Sequence, residues 1–206
     1  MTKREVETLL DPDGAAHAAA KHLAKWIENA LFFRGVAHVA LSGGETPWMM
    51  LRSLCVLSPT LNRVCFYQVD ERVAPDNDPA RNATHINEIL GRCGATLYLI
   101  TVNNPNLDVA CSEYEALLPP YFDVVHLGLG EDGHTASLIP NDPLLQIHSR
   151  AVAPTTSFYQ GHRRVSLTYS GLARAHQILW LVTGKEKRSA LKKLLRDDPL
   201  IPASGV

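Results

Sequence analysis

Apolar and polar positions along the chain alternate between two periods. Residues 36–41, 64–69, 97–100, 122–129, 164–168 and 178–182 are short runs of aliphatic and aromatic residues, the length and make-up of buried strands. Between them lie segments with apolar residues at helical spacing. Residues 15–31 place Leu23, Trp26, Ile27, Ala30 and Leu31 on one stripe, and 185–195 do the same with Ala190, Leu191, Leu194 and Leu195. A helix is predicted to start at Thr46-Pro47 and to run through Met50, Leu51 and Leu54. Others cover 78–90 and 109–118, the latter closed by Pro119-Pro120, and a helical turn covers 172–175. Strands alternating with helices predict an α/β fold with an open, mostly parallel sheet and helices on both faces. The weakest periodicity is at 141–162, which carries Pro143, Pro154 and Gly161 and suits a mobile flap. No internal repeat or low-complexity linker interrupts the pattern.

Composition narrows the partners. A chain of 206 residues that is 46% hydrophobic can bury a full core. A net charge of -1 makes no electrostatic case for nucleic acid or an anionic membrane, so an anionic substrate must be held by a local cluster of cations. Cys55, Cys65, Cys93 and Cys111 lie far apart, with no metal-ligand spacing, and read as reduced thiols of a cytoplasmic protein. The start, Met1-Thr2-Lys3-Arg4-Glu5, is charged and predicts no signal peptide, and no apolar run approaches membrane-spanning length.

Four loops after candidate strands carry polar chemistry, and a parallel sheet can gather such loops at one edge. In Ser42-Gly43-Gly44-Glu45-Thr46-Pro47, the glycines let backbone approach a ligand, and amides at a helix start suit phosphate. The pattern is neither a P-loop nor a dinucleotide fingerprint, and an ordinary strand-to-helix turn reads the same way. Glu45 must point away for an anion to bind. Asp70-Glu71-Arg72 sets three charges after an apolar run: a phosphate fork on Arg72 held by its neighbours, or a solvated salt-bridged turn. Gly130-Glu131-Asp132-Gly133-His134 ends the run 122–129. Thr135-Ala136-Ser137-Leu138 then predicts a short helix whose dipole keeps His134 neutral as a base, with Asp132 orienting the ring or the substrate. The fourth loop, Thr183 to Lys187, places Lys187 one turn into the last helix, either facing an anion or lying on the surface. Arg163-Arg164 adds a further cationic contact.

The ordered set of these motifs resembles the 6-phosphogluconolactonase family, within the group that includes glucosamine-6-phosphate deaminase. The marks are Ser42-Gly43-Gly44-x-Thr46-Pro47, Asp70-Glu71-Arg72, Asn82, Leu127-Gly128-x-Gly130-x-Asp132-Gly133-His134-Thr135-Ala136-Ser137-Leu138-x-Pro140, Arg164-Val165-Ser166-Leu167, Gly184-x-x-Lys187 and Ile201-Pro202-Ala203-Ser204. Ser137-Leu138-x-Pro140 looks like the lactonase branch, since the deaminase branch continues from its histidine with Ala-Phe-Asn-Glu-Pro. Three departures stand out. Arg81 occupies a position often serine, Ile139 one often phenylalanine, and the chain stops at Val206, where relatives usually continue through a short strand and a terminal segment. Either that tail was lost or the chain is incomplete.

The resemblance implies a single Rossmann-like domain over 1–206, a monomer or weak homodimer, and hydrolysis of 6-phospho-D-glucono-1,5-lactone to 6-phosphogluconate in the oxidative pentose phosphate pathway. It implies His134, Asp132 and Asp70 as catalytic residues. Ser42, Gly43, Gly44, Thr46, Glu71, Arg72, Asn82, Gly133, Arg164 and Lys187 are implied as substrate contacts, with no metal and no cofactor. His134 is expected to be the general base on water, with Lys187 or nearby amides on the oxyanion. Two alternatives are an aldose-ketose isomerase or deaminase, in which Asp70 moves a proton between carbons, and a sugar-phosphate sensor without turnover.

Overall fold

Five of the apolar runs become parallel strands of one sheet in the computed structural model, which describes residues 4–58 and 61–206. These are β1 (Ala37–Leu41), β2 (Val64–Gln68), β4 (Thr96–Tyr98), β5 (Phe122–Leu127) and β8 (Ala175–Trp180), in the order β4-β2-β1-β5-β8. Helices α1 (Pro12–Arg34), α2 (Glu45–Leu57), α3 (Asn82–Leu90), α4 (Leu107–Leu117) and α6 (Arg188–Leu194) alternate with them, and α5 (Tyr169–Leu172) is a single turn. The chain winds outward from β1 in one direction and from β5 in the other. The sheet therefore reverses between these two neighbours, the point at which open α/β sheets leave a crevice beyond the carboxyl ends of their strands. Met1, Thr2 and Lys3, used above in reading the amino terminus, lie outside the described residues.

Local chemistry explains the boundaries. Helix α1 begins earlier than its apolar stripe because the Asp11 carboxylate accepts from the Gly14 amide at 2.7 Å and Pro12 occupies the first turn. It ends at Gly35, whose φ of 74° suits glycine and whose amide donates to the Leu31 carbonyl. Leu23, Ile27 and Ala30 are buried as the stripe predicts, while Trp26 and Leu31 are only half-buried at its edges. Every residue of β5 is buried, as expected of a strand covered on both faces.

A second, three-stranded sheet departs from the predicted pattern. Asp70–Arg72 is a strand, β3, pairing antiparallel with β7 (Arg164–Leu167), which in turn pairs with β6 (Val152–Pro154). The run 64–69 leaves the parallel sheet at Val69, whose amide donates to the Leu41 carbonyl while its own carbonyl accepts from Leu167. Further boundaries move: the helical turn expected at 172–175 is α5 at Tyr169–Leu172, and β8 begins at Ala175 in place of 178. Asn82, and not residue 78, opens α3. Strand β5 stops at Leu127. The short helix predicted at Thr135–Leu138 is instead a turn closed by a bridge between those two residues, with Ala136 at φ 52°. Segment 141–162 contains a 3-10 turn (Pro143–Gln146) and β6, and buried Asp142 anchors it by accepting from the amides of Leu144 and Ser157 at 2.9 and 3.0 Å. All four cysteines are free thiols. Among the described residues, no helix is long and apolar enough to cross a membrane.

Candidate active site

The crevice at the β1–β5 switch point is a cavity of about 400 Å³, within the usual range for small-ligand sites. One wall is the β1–α2 loop, with Ser42, Gly43, Gly44 and Thr46; the Ser42 amide donates to the His126 carbonyl at 3.2 Å, and α2 starts at Glu45, so the helix-start amides lie at Glu45 and Thr46. Ser42 is buried and its hydroxyl has no partner among the described residues, which leaves it available to a ligand. Thr46 and Thr183 join their hydroxyls at 2.8 Å, tying this loop to the end of β8. Glu45 lies on the cavity rim but is exposed, where water screens its charge.

The opposite wall is cationic. Arg72 and Arg164 face the cavity from the paired strands β3 and β7, and Lys187 ends a 3-10 turn just before α6, not one turn into a helix. Arg72 gives one guanidinium hydrogen bond to the Ala80 carbonyl at 2.7 Å. Among the described residues, neither Arg72 nor Lys187 forms an ion pair. Arg164 is buried, which pulls its pKa below the usual value, and Asp70 opposes that shift from 3.8 Å. Among the described residues, the Arg164 Nε has no hydrogen-bond partner. Asp70 itself is held by the Ser137 hydroxyl at 2.6 Å and the Asn82 side-chain amide at 3.5 Å.

His134 stands on the cavity wall between these surfaces. Its Nδ1 lies 2.6 Å from the Asp132 carboxylate, which also accepts from the His134 backbone amide at 3.1 Å. So short a contact with a carboxylate requires a hydrogen on Nδ1, so the neutral form of the ring carries its lone pair on Nε2. Burial raises the Asp132 pKa, but the His134 hydrogen bonds and a further one from Tyr159 outweigh it, and the net shift is downward. Orientation by a carboxylate thus replaces the helix dipole expected here, because no helix follows His134. Gly130 makes room for the pair: a Cβ on it would fall 1.9 Å from the His134 Nδ1.

A family model described as glucosamine-6-phosphate isomerases/6-phosphogluconolactonase matches residues 10–206. The chain belongs to this family. A 6-phosphogluconolactonase of Treponema pallidum is 32% identical over 205 residues, spanning 88% of this chain and 82% of that protein. The solved 6-phosphogluconolactonase structure from Thermotoga maritima superposes with a TM-score of 0.86 at 30% identity, covering 97% of this chain and 93% of that one. The one from Shewanella baltica gives 0.86 at 27% identity, covering 100% and 93%.

In this member of the family, three of the expected contact or catalytic residues sit behind the cavity and do not line it. Glu71 is fully buried. It accepts from the Gln68 side chain at 2.9 Å and from the amides of Arg72, Asn82 and Ala83 at 2.9, 2.7 and 2.8 Å, so it caps α3. Alternation along β3 explains this, since Asp70 and Arg72 share one face and Glu71 takes the other. Gly133, at φ 86°, packs under Ile201 and accepts from the Ala203 amide at 3.0 Å. Asp132 reaches the cavity only through His134.

Arg81, a departure from the usual serine, is buried and accounted for. It pairs with Asp76 at 2.6 Å, approaches Glu71 at 3.5 Å and donates to the Ile100 carbonyl at 3.2 Å. Its neighbour Asn82 opens α3 and donates to the Asp70 carbonyl at 3.0 Å, at the cavity wall. Sequence reasoning missed Gln160, Thr183 and the space-making role of Gly130. Gln160 carried no local signal, while Gly130 stood in a quoted motif without a role.

Proposed function

We propose that the protein hydrolyses 6-phospho-D-glucono-1,5-lactone to 6-phosphogluconate, as the names of its relatives suggest. The observation that carries this reading is the His134–Asp132 pair, with His134 on the wall of a cavity that also holds a helix start and two cations without ion pairs among the described residues. Water bound at Nε2 attacks the lactone carbonyl as His134 takes its proton. The carbonyl π pair moves onto oxygen, and Lys187 stabilises the oxyanion. When the tetrahedral centre collapses, the ring C–O bond breaks and the imidazolium returns the proton to the departing ring oxygen. The water oxygen and one of its hydrogens end in the new carboxylic acid, which ionises at neutral pH, and the other hydrogen ends on the freed ring hydroxyl.

Ser42, the amides through Thr46, Arg72 and Arg164 share the phosphate and sugar oxygens. Asp132 is the orienting carboxylate. Asp70 is already engaged by Ser137, Asn82 and Arg164, which suits a fixed acceptor for a sugar hydroxyl better than a base that must move protons between carbons. The reading takes the chain as one domain and as a monomer or weak homodimer. The free thiols fit a reducing cytoplasm.

The test is formation of 6-phosphogluconate from freshly made lactone against spontaneous hydrolysis at the same pH, with glucosamine 6-phosphate as a second substrate. Acceleration of the first with no ammonia from the second is expected. A lactone rate equal to the spontaneous one overturns the proposal.

A further inference from the structure

Segment 155–162 ends in a tight turn closed by the Tyr159–His162 bridge, with Gln160 and Gly161 at φ of 50° and 83° and Gln160 on the cavity wall. The Tyr159 hydroxyl donates to the Asp132 Oδ2 at 3.0 Å, the oxygen that the His134 ring does not use. The same hydroxyl lies 3.2 Å from the His134 Nδ1, and the two rings meet edge to face at 5.1 Å. On the other side of Tyr159, the Arg164 guanidinium sits over the ring at 5.2 Å, and its Nη2 approaches the Tyr159 carbonyl at 3.5 Å. Burial, and then the Asp132 carboxylate, push the Tyr159 pKa up to about 12, so the phenol keeps its hydrogen at neutral pH.

The geometry points to Tyr159 as a positioning residue that sets the orientation of the His134–Asp132 pair through its hydroxyl and the plane of Arg164 through its ring. The inference rests on the reading of His134 as the base. Asp132 sits in a partly exposed turn, and a carboxylate held by donors on one oxygen alone can rotate about its terminal torsion. The Tyr159 hydroxyl fixes the second oxygen, so the plane of the carboxylate, and with it the aim of Nε2, is defined from both ends. The ring supplies a face on which the buried guanidinium stacks, keeping its remaining N–H groups turned to the cavity. Tyr159 does not line the cavity and acts only through its neighbours.

Two variants separate the two contacts. Tyr159→Phe removes the hydroxyl and keeps the ring, and should lower kcat about tenfold with little change in KM, the loss typical of one hydrogen bond to a charged group. Tyr159→Leu removes both, and should add a roughly threefold to tenfold rise in KM through Arg164. A merely structural role would move kcat and KM alike in both variants. The direct readout is the ¹⁵N spectrum of the His134 ring, in which Tyr159→Phe should lower the share of neutral ring carrying its hydrogen on Nδ1. If Tyr159→Phe matches wild type in kcat and in this tautomer share while His134→Ala is inactive, the inference fails and the lactonase reading stands. If wild type itself does not accelerate lactone hydrolysis, the lactonase reading fails, and the tautomer share still decides for or against Tyr159.

Discussion

His126 lies near the carboxyl end of β5, paired in register with Leu41 and Leu179, and is completely buried. Neither ring nitrogen has a partner among the described residues. Burial disfavours the imidazolium, and its pKa falls from the ordinary 6.5 to about 4. Below pH 6.5 the unfolded chain therefore takes up a proton that the folded chain refuses until about pH 4. Stability is complete above pH 6.5 and is lost as pH falls through that window, because the unfolded state binds more protons there. At about 1.4 kcal/mol per unit, the loss amounts to roughly 2 kcal/mol at pH 5 and about 3 kcal/mol by pH 4. His126→Leu removes the titrating group while keeping an apolar side chain of similar size. Urea unfolding of both proteins at pH 8 and pH 5 isolates the effect, since other titrating groups cancel in the difference. The wild type should lose about 2 kcal/mol more than the variant between the two pH values. Parallel losses would refute the reasoning and imply that the ring finds a partner for its proton inside the sheet.

Gly130→Ala places a methyl against the His134 Nδ1 and should displace the ring, cutting kcat about a hundredfold with a smaller effect on KM in steady-state assays. Glu71→Gln replaces an acceptor-only carboxylate with an amide that must face backbone N–H donors, so it should destabilise by about 2–4 kcal/mol in urea titration and loosen Asn82 at the cavity wall. Arg72→Ala should raise KM for the phosphorylated lactone about tenfold or more while leaving the unphosphorylated lactone unchanged; equal losses for both would remove Arg72 from the phosphate.

What could be read from the sequence follows from the range of the signals. Strands β1 and β5 and helix α1 were legible because long apolar runs and a 23-residue amphipathic helix carry their own periodicity. The second sheet was not, because β3 is three charged residues and β6 three residues ending in proline, too short for any pattern to accumulate. Its pairing is decided by distant partners such as Ser166 and Val165. The helix expected after His134 failed because Ala136 adopts a left-handed conformation that no local rule demands of alanine.

Among site residues, His134, Arg72 and Lys187 stand in or beside loops that follow parallel strands, so topology alone gathers them at the cavity. Glu71 turns inward because Asp70–Arg72 is a strand whose side chains alternate, and three charged residues carry no local signal that separates a strand from a loop. Tyr159 reaches His134 across 25 positions through the tight turn before β7, and nothing in its neighbours predicts that contact.

The most direct measurement compares wild type with His134→Ala on freshly generated 6-phospho-D-glucono-1,5-lactone, following 6-phosphogluconate and subtracting spontaneous hydrolysis at each pH. Loss of the Nε2 lone pair should lower kcat by about 10²–10⁴-fold while KM changes little, because the cations that hold the phosphate are untouched. A His134→Ala enzyme that keeps a near-normal kcat would contradict the assignment of His134 as the base that activates water.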